Sequence, residues 1–230
     1  TKSVAERAEK IAAAKIEAFK LVDLPPNKIT PESLADWAKN LGKRTGVSVK
    51  VFDTKKAKSE GLEAFLAVGR GSAKEPKFII LEYRHPKAKF HLGLVGKGVT
   101  FDTGGLNIKT QGMHHMKSDM GGAAAVLATT QLIADLELPI HLTSIVPAVE
   151  NAIDKDAYLP SEVISSHAGL SIEVIDTDAE GRLILADGLS YLIKNYKTDQ
   201  VIDFATLTGS AIGTFGYECA ALFSNDGGLS

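Results

Sequence analysis

The stretch IHLTSIVPAV (140–149) contains no Asp, Glu, Lys or Arg, and from Ile145 to Val149 its residues are apolar without alternation. A strand of this kind must be covered on both faces, because a half-exposed strand alternates apolar and polar positions. It falls well short of the roughly 20 residues needed to cross a bilayer. Its cover must therefore come from helices of the same chain, and the segment just before it, GGAAAVLATTQLIADL (121–136), has the composition and spacing of one.

The same alternation runs through the chain. Residues 3–20 predict a helix with Ile11, Ile16 and Phe19 on one face, and DLPPNKITPESL then breaks it. Thr30 followed by Pro31 marks an N-cap and first helical position, opening a helix to about Leu41. Strands are expected at 47–52, 77–83 and 91–101, with a helix over KKAKSEGLEAFLAV between the first two. An irregular connection over 150–170 leads to a buried strand SIEVI (171–175). A helix over 182–196 follows, with Leu185, Leu189, Leu192 and Tyr196 at helical spacing, and then a strand over 200–207. The fold class is α/β: a mostly parallel or mixed central sheet covered by helices on both faces, a three-layer α/β/α arrangement. In such sheets ligands bind beyond the carboxyl ends of the strands.

Composition narrows the function classes. The 230 residues are 44% hydrophobic with a net charge of −2 and no basic stripe, so nothing favours nucleic acid or an anionic membrane as a partner. One cysteine, Cys219, excludes an internal disulfide and a thiolate zinc cluster, and a reducing, cytoplasmic setting is the default. Its apolar context, ECAALF, fits a buried structural thiol rather than a nucleophile. Phosphate-loop, dinucleotide and nucleophile-elbow patterns are all missing.

Three glycine-flanked polar clusters fall at expected strand ends. VGKGVTFDTGGLNIK supplies Lys97, Asp102 and Lys109, MKSDMGG supplies Asp119, and DTDAEGRL supplies Asp176, Asp178, Glu180 and Arg182. One such cluster alone is an ordinary solvated turn. Three at strand ends admit a second reading, since carboxylates converging in one crevice need a cation to neutralise them, and an oxygen-rich set suits Mg, Mn or Zn. Glu150 and Asn151 could support such a crevice from a strand end. His114 and His115 fit a loop, and Asp154 and Asp156 a solvated charged turn.

VGKGVTFDTGG, MKSDMGGAAAV, DTDAEGRLILADGL and FATLTG (204–209), in this order, resemble the signature segments of the leucine aminopeptidase family, the two-metal cytosol aminopeptidases. The resemblance implies a zinc-exopeptidase-like fold. It also implies a metal-dependent aminopeptidase that cleaves the N-terminal peptide bond of peptides, preferring apolar residues such as leucine. Carried onto this chain, it makes Asp102 and Glu180 bridging ligands of two divalent ions (Zn or Mn, with Mg or Co as alternatives). Asp178 would hold the tighter ion, and Lys97 and Asp119 would complete the exchangeable site. Lys97 would ligate as a neutral amine, its pKa brought down from about 10.4 by metal and burial. Lys109 and Arg182 would be catalytic, Arg182 holding a bicarbonate, while Met116, Thr206 and Leu207 would line the substrate pocket.

The resemblance further implies a homo-hexamer, with residues 1–20 a linker helix from a preceding domain and 21–230 a catalytic domain lacking its C-terminal part. Two departures stand out. The family usually has Asn where this chain has Asp176, and the loop between Lys109 and Asp119 is slightly short. Two other readings compete: a non-catalytic DNA-binding or assembly role of the scaffold, which the charge opposes, and a two-metal phosphohydrolase, which Lys97 between glycines fits poorly.

Overall fold

The computed structural model describes residues 2–228. Helix α1 (Lys2–Asp23) packs along α5 (Gly121–Asp135), and α2 (Pro31–Thr45) lies on the same side of the sheet. The strands are β1 (Ser48–Phe52), β2 (Lys77–Arg84), β3 (His91–Gly96), β4 (Gly98–Asp102), β5 (His141–Asn151) and β8 (Gln200–Phe204). They form one six-stranded sheet in the order β1-β2-β5-β3-β8, with β4 also paired to β5. The sheet is mixed. β3 and β4 run parallel to β5, and β8 parallel to β3, whereas the β1–β2 and β2–β5 pairs are antiparallel.

Successive residues of each central strand feed opposite cores. Phe78, Ile80, Val95, Ile145 and Val149 pack with α3 (Thr54–Ser59), α4 (Glu63–Gly69) and α6 (Glu180–Tyr196). Ile79, Leu81, Leu94, Leu142 and Val146 pack with α2 and α5. This is the three-layer α/β/α arrangement that an unalternating central strand demands. Thr30 caps α2 as expected: its hydroxyl accepts from Ser33 N at 3.1 Å, and Ser33 Oγ accepts in turn from Thr30 N at 2.8 Å.

Several local expectations are corrected. The buried stripe of α1 contains Ala14 and Leu21, while Ile16 and Phe19 are 51% and 68% exposed. The helix expected over 55–68 is two, because Gly61 takes a left-handed φ of +75° between α3 and α4. The strand expected over 91–101 is interrupted at Lys97; β4 resumes the pairing with β5 in the register of β3 at Gly98 and Val99, and the register then shifts by one residue before Asp102, which stands opposite Asn151. SIEVI is not a strand of the central sheet: only β7 (Ser171–Glu173) is a strand, it pairs with β6 (Val163–Ser165) in a separate hairpin, and Ile175 is exposed although Val174 is buried in the core. β8 ends at Phe204 rather than 207, and α7 (Gly209–Phe215) follows it. Helix α6 begins two residues earlier than expected, which puts Glu180 in its first turn. Cys219 is exposed rather than buried.

Candidate metal centre

The interruption at Lys97 has a direct consequence. Lys97 N still donates to Phe204 O (2.9 Å), and Lys97 O accepts from Ala123 N (2.9 Å), so the backbone stays tied to β8 and α5. The side chain turns inward and is 2% exposed as a residue. Its Nζ lies 2.8 Å from Asp119 Oδ1, 2.9 Å from Glu180 Oε1 and 2.9 Å from Thr206 O. Asp119 is placed just ahead of α5 and Glu180 at the start of α6, so three elements converge at the carboxyl end of the parallel strands.

Burial sets the electrostatics. It raises the Asp119 carboxyl to about 6 and the Glu180 carboxyl to about 7, against the opposing pull of the Lys97 ammonium. For Lys97, burial pulls the amine down as the sequence reading required. The Asp119 and Glu180 carboxylates outweigh it, however, and hold it above its ordinary value. Burial alone therefore does not make Lys97 neutral.

A second group abuts the first. Asp102, the last residue of β4, accepts through Oδ1 from Gly104 N and Asn151 Nδ2, both at 2.8 Å. Its Oδ2 lies 2.9 Å from Lys109 Nζ, which is also 2.6 Å from Asp178 Oδ1. Burial draws the Lys109 amine down, but Asp178 and Asp102 more than offset it, and the ammonium stays charged well above its usual range. Asp178 is held by a 3-10 turn over Thr177–Ala179, whose N-cap is Asp176: its Oδ1 accepts from Asp178 N at 2.8 Å. Asp176 is thus an exposed turn cap.

The structure brings Lys97, Asp102, Asp119, Asp178, Glu180 and Lys109 together along one open cleft of about 2010 Å³, whose lining also includes Met116, Thr206 and Leu207. Thr206 Oγ1 donates to Asp119 Oδ1 at 2.7 Å, so it touches the carboxylate group as well as the cleft. Arg182 is not brought in: it is exposed on the first turn of α6, outside the cleft lining. His114 and His115 are exposed in a 3-10 segment with their rings tilted at 42° to each other, His115 on the rim of the cleft, and Asp154 and Asp156 are exposed. Glu150 faces elsewhere and pairs with Lys74 at 2.6 Å, whereas Asn151 reaches the site.

Sequence reasoning passed over three residues that build the site. Asn107 Oδ1 accepts from Thr177 N (2.9 Å), Thr177 Oγ1 donates to Gly104 O (2.7 Å), and the buried Tyr158 hydroxyl donates to Thr177 O (2.7 Å). Their signal was weak, since polar residues beside glycines and prolines look like any loop.

The residues fit a divalent metal. One carboxylate oxygen from each of Asp102, Asp119 and Glu180 lies within 4.8 Å of the others, and all three residues are buried. Asp119 Oδ2 and Glu180 Oε2 are buried with no hydrogen-bond partner. Such orphaned acceptors cost about 1–3 kcal/mol each unless a cation or donor meets them. An all-oxygen set with an amine alongside suits hard or borderline ions.

Comparison with known proteins agrees. The model of the "Cytosol aminopeptidase family, catalytic domain" matches residues 17–230. A "Probable cytosol aminopeptidase" of Chlorobaculum tepidum is 49% identical over 218 residues, covering 94% of this chain and 43% of that protein. Proteins of the same name from Geobacter sp. (44% identity, 98% of this chain and 46% of that protein) and Chlamydia trachomatis (47%, 90% and 42%) are also similar. The chain thus spans less than half the length of these relatives.

Proposed function

The chain belongs to the cytosol aminopeptidase family, and on that premise we propose that the whole protein is a metal-dependent aminopeptidase hydrolysing the N-terminal peptide bond of peptides. The observation that carries the reading is the buried Asp102–Asp119–Glu180 group with its two orphaned oxygens. We extend it to a preference for apolar N-terminal residues such as leucine, which the apolar side chains of Met116 and Leu207 in the cleft support.

A pair of divalent ions, zinc or manganese with magnesium and cobalt as alternatives, would supply Lewis acidity and a nucleophilic water near neutral pH. Asp102 and Glu180 would be shared between the ions, Asp178 would hold the tighter one, and Lys97 and Asp119 would complete the exchangeable site. Lys97 must be neutral to ligate, so the carboxylates that now favour its ammonium form would have to be engaged by cations instead. Lys109 keeps its charge and faces the cleft, where its ammonium can polarise the scissile carbonyl and stabilise the developing oxyanion. Arg182, exposed two residues beyond Glu180 and without an ion pair among the described residues, would hold a bicarbonate, which would supply a base; because its side chain stands outside the cleft lining, this role requires it to turn toward the cleft.

Residues 21–230 would carry this chemistry, and the assembled protein would be a cytoplasmic homo-hexamer. The name of the relatives supports the compartment. The reading is tested with full-length protein dialysed against a chelator and assayed on leucine p-nitroanilide. Hydrolysis restored by Mn or Zn is expected, and chelator-insensitive or absent hydrolysis would overturn it.

A further inference from the structure

Asn151 ends β5 opposite Asp102 in the strand register and is fully buried. Its Nδ2 donates to Asp102 Oδ1 at 2.8 Å and to Thr177 O at 3.1 Å. Both partners are acceptors, so only the amide nitrogen can face them, and the orientation of the side chain is fixed. The cost falls on the other end: Asn151 Oδ1 is buried with no partner. A fold that leaves a buried amide oxygen unsatisfied demands an account of what the amide nitrogen is for.

The structural tasks near Asn151 are already done by other groups. The ends of β4 and β5 are joined through backbone, with Thr103 N (2.9 Å) and Thr103 Oγ1 (3.0 Å) both donating to Asn151 O. Thr177 O already accepts from Tyr158 OH at 2.7 Å. What the Asn151 side chain alone adds is a side-chain donor on Asp102 Oδ1 that also reaches the turn carrying Asp178. With Gly104 N, it gives that oxygen two donors and sets the plane of the carboxylate, leaving Oδ2 toward the cleft and Lys109.

We propose that Asn151 is a positioning residue for the metal centre, holding the Asp102 carboxylate and the Asp178 turn at a fixed separation. The inference rests on the metal-centre reading above and deepens it. Partners of this kind, hydrogen-bonded to a ligating carboxylate, orient the ligand and contribute to metal affinity.

The test is direct binding, not turnover. Full-length wild type, N151L, which keeps the side chain's approximate volume, and Y158F are freed of metal and titrated with Mn²⁺, the free ion being read by electron paramagnetic resonance. N151L should bind Mn²⁺ about 10–100-fold more weakly. Y158F, which removes the other donor to Thr177 O but leaves Asp102 untouched, should stay within about threefold of wild type. The visible absorption of bound Co²⁺ should change in N151L and not in Y158F. Should N151L fail to fold, the smaller N151S is expected to show the same loss. Wild-type affinity in a folded Asn151 variant, or an equal loss in Y158F, would overturn the proposal. If wild type itself binds no Mn²⁺, the metal-centre reading fails together with it.

Discussion

Gly181 lies against the side chain of Lys97, so closely that a Cβ at this position would stand 2.7 Å from Lys97 Cε and 2.9 Å from Nζ. Within a helix, Gly→Ala ordinarily stabilises by up to about 1 kcal/mol. Here the Lys97 amine is fixed by Asp119, Glu180 and Thr206 and has nowhere to retreat. We predict that G181A displaces Lys97, costs about 1–3 kcal/mol through overpacking, and weakens metal binding. Thermal melts and Mn²⁺ titration check this, and a more stable variant with unchanged binding would refute it.

Lys109 bridges Asp102 and Asp178 without sharing their proposed role as ligands. K109A should keep its metal while kcat falls about 10²–10³-fold, the usual cost of losing one oxyanion donor. Metal analysis and steady-state kinetics on the full-length protein separate the two. If the variant loses its metal, Lys109 has been assigned the wrong task.

Burial raises Asp119 to about 6 and Glu180 to about 7, with the Lys97 charge opposing. Both acids then hold their protons more tightly in the folded protein than in the unfolded chain. Their contribution to stability is full below the ordinary carboxylate range near 4 and is lost as pH rises through about 6 and 7. Without divalent metal, these two groups should lower the melting temperature between about pH 5 and 7.5. Saturating Mn²⁺ should abolish that fall, because a cation compensates the ionised carboxylates. Metal affinity should itself weaken as pH drops below about 7. Melting curves across pH, with and without Mn²⁺, decide the point.

Asp176 caps the turn that carries Asp178 by accepting from its backbone N–H, a task that an asparagine oxygen performs equally well. D176N should therefore change activity by less than about threefold and stability by no more than about 0.5 kcal/mol. A larger loss of activity would mean that the Asp176 charge acts on the metals.

The part of the fold carried by long, strongly patterned segments was readable in the sequence. The unalternating 140–149 run gave a strand covered on both sides, and Thr30–Pro31 gave the start of α2. Local periodicity could not show that Lys97 interrupts a strand, since β4 resumes beside β5 in the register of β3 at Gly98 and Val99 and shifts only afterwards, before Asp102. It also read SIEVI as a buried strand, where Val174 does reach the core but the strand belongs to a separate hairpin and Ile175 is exposed, because apolar content does not say which sheet a strand joins. The carboxylates were found through their glycine-flanked clusters. Asn107, Tyr158 and Thr177 were not, because their importance lies in contacts between segments far apart in the chain.

The central claim is that Asp102 and Glu180 are shared between two metal ions. Crystals of the full-length protein soaked in Mn²⁺ or Zn²⁺, with anomalous scattering recorded at the absorption edge of the metal, test it most directly. The account predicts two anomalous peaks, each in contact with oxygens of both Asp102 and Glu180, one also touching Asp178 and the other Asp119 and Lys97. A single peak, or two peaks that share neither carboxylate, would contradict it.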